Sequence, residues 1–330
     1  MLRTLSLLLA ATVATANAAS FTTFTVPGCG QTAATAINNK NVVVGSSAGC
    51  GAFIRDAEGH FTSFTVDGNP TIATGINIHG AVVGSYSSVA NCPLPGLTCV
   101  FGYVRSPSGV ITTIDQAGSP ALFAQPFAIN ASGQIAGTVT ANTPQAFFRD
   151  VDGTFTLLQH SFQEQGFKGG VVTGLTNAGK IAGAAFLPVS DLARAFIRAP
   201  NGTLNIVGPV TTFGETWVIG INNLDGVVGY VNTLDNGSIT TQGFTQTATG
   251  APQLFPVPFT ALDGGLPFQR VVGGGINSHG AAVLQNIYIA PDGTISKIDL
   301  GACQNVVAEA INNNGWVTGR CGGDAFLWRK

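Results

Sequence analysis

One unit recurs seven times along this chain, and repetition at its spacing restricts the fold more than any local propensity does. It reads Ile37-Asn38, Ile76-Asn77, Ile129-Asn130, Leu175-Thr176, Ile221-Asn222, Ile276-Asn277 and Ile311-Asn312, at intervals of 39, 53, 46, 46, 55 and 35 residues. The mean, about 46, is that of a four-stranded propeller blade. Four residues after each Ile or Leu stand Asn41, Gly80, Gly133, Gly179, Asp225, Gly280 and Gly315. These residue types best tolerate the left-handed backbone region, so a tight turn is expected there. Asn at its first position can bond the backbone ahead, which gives the repeated Asn a structural role.

A short apolar run follows each turn and usually ends in Gly, as in Val42 to Gly45 and Val82 to Gly84. It reads as a second strand. The third strand is a block of the form Ala52-Phe53-Ile54-Arg55, recurring as Gly102 to Arg105, Ala146 to Arg149, Ala195 to Arg198, Gly243 to Gln246, Asn286 to Ile289 and Ala325 to Trp328. Its second place is expected in the core. A second turn is expected at Gly59, Gly109, Gly153, Gly202, Gly250 and Gly293, then a fourth strand. Four antiparallel strands in a meander make one propeller blade.

The seventh unit stops at Lys330 after its third strand, while Phe21 to Val26 nearly repeats the fourth strand Phe61 to Val66. The fold expected is an all-β seven-bladed propeller closed by its N-terminal strand. Small residues precede every Ile-Asn pair, as the crowded axis of a ring requires. Blade six departs from the pattern, with Leu284 where Gly is usual and almost no loop after it. A six-bladed ring or an open array is the alternative.

Arg3, the apolar stretch Leu5 to Val13 and Ala16-Asn17-Ala18 read as a secretory signal peptide over residues 1–18. A single domain over 19–330 and a secreted location, extracellular or periplasmic, follow. Six cysteines suit an oxidising compartment. Cys29 and Cys303 both lie eight residues before an Ile, and Cys50 and Cys321 follow the second-strand Gly of the same units. Cys29–Cys50 and Cys303–Cys321 pairs are therefore expected, with Cys92–Cys99 closing a loop. Charged residues are only 9% and net charge is −2, which offers no footprint for nucleic acid or anionic lipid.

The units resemble those of the HAF-type extracellular repeat proteins of bacteria, on Ala310 to Gly319, Ala325-Phe326-Leu327-Trp328 and Asp299-Leu300-Gly301. The resemblance spans most of residues 19–330 and implies an extracellular propeller-like protein. The His of the family's His-Ala-Phe tripeptide is missing, with Gly51 and Asp324 in its place in the first and last units.

No pattern of His, Cys, Asp and Glu points to a metal, cofactor or nucleophile triad, so no cofactor and no enzymatic activity are expected. Asp150-Val151-Asp152-Gly153 coincides with the second turn and lacks the further ligands of a calcium loop. His79 and His279 share a turn position in distant blades, and Glu309 is the one carboxylate two places ahead of an Ile-Asn pair. Function is expected on the face that carries the variable loops. Phe162, Phe167, Trp217, Phe268 and Arg270 are the candidate contacts there for a protein or glycan, held by a monomer. The alternative is a carbohydrate-active hydrolase or lyase using Asp191, Asp235 and Asp263.

Overall fold

The computed structural model describes residues 19–94, 96–116, 119–120, 123–140, 144–190, 192–212, 214–235, 237–258 and 273–330. At 115–116, 119–120 and 235 it describes the backbone only, and the leader segment lies outside it. Seven four-stranded antiparallel sheets follow one another as blades. Blade 1 comprises Thr32–Ile37, Val43–Ser47, Gly51–Arg55 and Phe61–Phe64, here called strands a to d from the axis outward. Each strand a touches the next all the way round and strand a of blade 7 touches that of blade 1, so the ring is closed.

Blade 7 is composite. Strands Val306–Ile311, Val317–Cys321 and Asp324–Arg329 are completed by Ser20–Phe24, in the register Ser20 opposite Arg329 to Phe24 opposite Ala325. Closure by the N-terminal strand is thus as expected, and neither six blades nor an open array is found. Among the described residues no helix is long and apolar enough to cross a membrane.

The repeat acts at three places. All seven turn residues from Asn41 to Gly315 have positive φ, between 60° and 95°. The Asn38 side chain accepts the Lys40 and Val42 N–H groups through Oδ1, as the turn chemistry requires. Its Nδ2 also reaches the Asn77 carbonyl of the next blade at 3.0 Å, a bond the sequence pattern does not announce. The same link joins Asn77 to Asn130, Asn130 to Thr176, Asn222 to Asn277, Asn277 to Asn312 and Asn312 back to Asn38. These form a buried belt around the axis. Thr176 has no amide to pass on, and at that seam Lys180 of blade 4 pairs with Asp225 of blade 5 instead.

The glycine of strand b seats a bulge in strand a. In blade 4 the register shifts between Val172 and Gly174, and a Cβ on Gly183 would lie 1.9 Å from the Val171 carbonyl oxygen. Only hydrogen fits there. Equivalent approaches occur at Gly45, Gly84, Gly137, Gly229 and Gly319. Phe53, Tyr103, Phe147, Phe196, Phe244 and Phe326 of strand c are fully buried, the core place expected for them. Blade 6 breaks both habits together: Leu284 stands where Gly would, and its strand a pairs without a bulge. Its short strands still make a complete four-stranded blade, Gly274–Ile276, Ala282–Leu284, Ile287–Ile289 and Ile295–Lys297.

The second turn holds positive φ at Gly59, Gly109, Gly153, Gly202 and Gly293, whereas Gly250 is the exception. Disulfides join Cys29–Cys50, Cys92–Cys99 and Cys303–Cys321 with Cα separations of 5.8, 5.2 and 5.9 Å, inside the usual range. The expected pairing is the one found.

Candidate binding face on the loop side

The a–b and c–d turns open on one side of the ring, and the b–c and inter-blade connections on the other. The turn side is short and regular. The loop side carries the length variation, and two of its b–c connections rise well above the rest. In blade 2, strands Val82–Ser88 and Cys99–Arg105 stay paired up to Ser88 and Cys99, where the Cys92–Cys99 bridge closes the tip. The Ser88 hydroxyl accepts the Asn91 N–H at 3.1 Å and stiffens the base. In blade 5, Val227–Asp235 and Ser238–Gln246 form a nine-on-nine hairpin.

Both stems end in aliphatic side chains turned to solvent. Leu97 is 52% exposed, and the cross-strand pair Leu234 and Ile239 is 53% and 47% exposed. Val89 and Leu94 join the first finger, and Val189 and Val210 stand on neighbouring connections of blades 4 and 5. With Ile72, eight of the fifteen exposed large apolar side chains of the described residues lie on this side. Elsewhere they are scattered singly, as is ordinary for a protein surface.

Near the axis, blade 5 builds a wall of different chemistry. The connection from blade 4 is clamped by Arg194, whose guanidinium donates to the Gly214 and Thr211 carbonyls at 2.7 and 2.9 Å. That fixes the start of strand Gly214–Ile221 and places Glu215. Asn232 Nδ2 donates to Glu215 Oε1 at 3.0 Å, and the Thr241 hydroxyl donates to Asn232 Oδ1 at 2.7 Å. Asn232 and Thr241 are both buried, so the relay fixes the carboxylate. Beside it Trp217 stacks on Tyr230 at an 11° interplanar angle and meets Phe186 edge-on. Glu215 escaped the sequence reading because it lies outside the repeated unit.

A cleft of about 600 Å³ also opens on this side over blades 1 and 2, with Arg320 at its edge. Three of its hydroxyls are already committed. Thr32 and Ser47 bond each other and the Gly30 carbonyl, while Thr71 donates to the Asn69 carbonyl. Arg320 faces Glu309 at 3.7 Å, so that carboxylate has the local partner expected of it.

The candidates from sequence fall into three groups. Phe162 is fully buried and belongs to the core between blades 3 and 4, where it meets Phe196 edge-on. It sits in a short helix, Gln159–Gln163, that wedges between the blades: Ser161 donates to the Gly202 carbonyl and accepts from Arg198 Nε. Reading this segment as a face loop is corrected by that packing. Phe167 is partly buried against the same core. Trp217 is in strand a of blade 5, part of the axial wall and not of a loop. Phe268, Arg270, Asp191, Asp263 and the Asp235 side chain lie outside the described residues.

The described residues hold no group of three or more His, Cys, Asp or Glu able to bind a metal. His79 and His279 are exposed turn residues. Burial pushes the Tyr103 hydroxyl well above its usual range, and its bond to the Ile72 carbonyl holds it as a structural group.

No family model and no curated protein matches the chain. Among solved structures, a catalytically inactive variant of virginiamycin B lyase from Staphylococcus aureus with quinupristin superposes with a TM-score of 0.58 at 10% identity, over 95% of this chain and all of that one. A selenomethionine form of that lyase gives 0.59 at 11% identity with the same coverage. A gluconolactonase from Xanthomonas campestris gives 0.41 at 14% identity, over 78% of this chain and 85% of that one. Identities this low show a shared propeller fold and nothing finer. They nonetheless correct the expectation that the chain is not an enzyme, because the same ring carries catalysis in the lyase. The expectation rested only on the missing repertoire of familiar motifs.

Proposed function

We propose that the protein is an extracellular recognition propeller that holds a partner protein against its loop face. The observation that carries this reading is the set of aliphatic tips on two rigid stems, one closed by a disulfide and one by nine paired residues. Apolar groups concentrated on one side of an otherwise neutral-polar surface mark a contact face. Rigid stems reduce the ordering cost of binding. Tips of Leu, Ile and Val suit apolar patches of a protein. The leader-like segment, the three disulfides and the resemblance to HAF-type repeat proteins support an extracellular setting.

The test begins with a partner captured from the extracellular medium of the source, then purified and bound again. Leu97→Asp combined with Leu234→Asp should weaken that binding at least a hundredfold, and Val151→Asp on the opposite side should leave it unchanged. Equal affinity for both variants would overturn the reading. One observation favours a second function on the same face: the fixed Glu215 carboxylate beside Trp217 suits chemistry on a bound ligand. Glu215→Gln should then abolish conversion of the partner while capture persists.

A further inference from the structure

On the turn side, one side chain in each of blades 1, 2, 4 and 7 reaches into the groove toward the preceding blade. It is the fourth residue of the strand c block. Arg55 lies 5.0 Å from the Phe24 ring of blade 7, and Arg105 lies 5.0 Å from the Phe64 ring of blade 1. Arg198 reaches Ser161 in the connection from blade 3. Each guanidinium also covers its own c–d turn, with NH2 3.1 to 3.6 Å from where a Cβ would stand on Gly59, Gly109, Gly153 or Gly202. In blade 7, Trp328 does the same work against Tyr288 at 5.3 Å.

Blades 5 and 6 lack such a head. Gln246 is drawn to the Gly208 N–H, and the groove it should fill keeps a cavity of about 260 Å³. Ile289 has no head at all, Gly293 has nothing near it, and the groove between blades 5 and 6 opens to about 800 Å³. The groove beside Ile289 is the wider of these two.

The lining of the large groove differs from that of the loop-side cleft. Its floor is apolar, from Phe255, Ile276 and Ile289, with the exposed Leu224 at its rim. Its walls bring Thr247, Thr249 and Ser278, whose hydroxyls make no hydrogen bond within the described residues, and the exposed ring of His279, which likewise has none. The single charged group is Asp292, already accepting the Thr294 N–H. An apolar floor beneath solvent-facing hydroxyls, with one carboxylate that accepts hydrogen bonds and repels anions, selects an uncharged ligand with C–H faces and many hydroxyls.

We infer that the turn-side groove between blades 5 and 6 is a binding site for a neutral oligosaccharide, separate from the loop face. Maltotriose, cellotriose and tri-N-acetylchitotriose are the probes, titrated into the intact chain and followed by calorimetry and by the His279 ring signals in NMR. At least one should bind and shift those signals. Ile289→Arg, which restores the filling side chain, should weaken that sugar at least tenfold. Thr247→Arg, at an exposed rim position, should do the same in a chain whose fold is undisturbed, and Val151→Asp should bind normally. If none of the three sugars moves the His279 signals, or if a folded Thr247→Arg chain binds as tightly as the parent, the inference is wrong. The loop-side variants leave this result untouched, so the two sites fail independently.

Discussion

Gly183→Ala is the substitution that most sharply tests why the ring has its geometry. The added Cβ would stand 1.9 Å from the Val171 carbonyl oxygen, a backbone atom that cannot swing aside. Ordinary C···O contact begins near ~3.3 Å, so strand a must retreat by roughly 1.4 Å. The bulge it carries holds Thr173, whose hydroxyl donates to the Val218 carbonyl of blade 5 at 2.9 Å. That bond is lost in the retreat. Overpacking of this kind costs about 3 kcal/mol and the lost hydrogen bond about 1 kcal/mol more. At about 2 °C per kcal/mol for a chain of this size, the melting temperature should fall by roughly 8 °C. Gly323→Ala is the control: its Cβ would meet nothing nearer than Gln31 at 3.5 Å, and the change should stay within about 0.5 kcal/mol. Thermal melts followed by circular dichroism, with urea midpoints as a second measure, decide the matter. Two variants that melt within a degree of each other would refute the idea that this glycine seats the bulge.

Three further outcomes are expected. Thr176→Asn supplies the missing link of the belt and should raise stability by about 1 kcal/mol, whereas Asn222→Thr should lower it by a similar amount; urea midpoints in the opposite order would contradict the belt. Asn312→Ala, at the seam where the chain closes, removes a buried side chain that donates to Asn38 and Asn41 and accepts from the Asn314 and Trp316 N–H groups. It should cost about 3 kcal/mol, and a loss below 1 kcal/mol by urea unfolding would show that the seam does not depend on it. Backbone bonds from Thr154 and Thr294 hold the Asp152 and Asp292 carboxyls below their ordinary 3.8. Because the folded value is the lower one, their contribution is complete above the unfolded value and is lost as pH falls through the folded one. NMR titration should therefore place both midpoints below 3.8, with the two turns unchanged from pH 7 to pH 5.

The fold was legible because the information that sets it is repeated. Seven turns at positive φ, six buried rings at the second place of strand c and a displaced copy of strand d are periodic signals, and each survives in the structure. What the pattern hid is equally physical. Asn38 was readable as a turn residue through its oxygen, but its amide acts across 39 positions of sequence on the Asn77 carbonyl. The strand b glycine reads as a strand end in sequence and proves to be a seat for a bulge. The face residues were less legible, since nothing periodic marks them. Phe162 looked like a loop aromatic because its segment varies in length, yet a helical turn carries it into the core. Glu215 was passed over because its relay partners, Asn232 and Thr241, meet it only when the blade 5 hairpin forms. The turn-side groove is visible in sequence only by absence, as the Arg of blades 1 to 4 gives way to Gln246 and Ile289.

The claim that the loop face meets the partner is tested most directly by hydrogen exchange on the complex with that purified partner. The account predicts slowed exchange in the two stems, across Val89 to Cys99 and Val231 to Thr241, with the turn-side segments around Val151 and Thr247 unaffected. Protection confined to the turn side, with both stems exchanging as in the free protein, would contradict it.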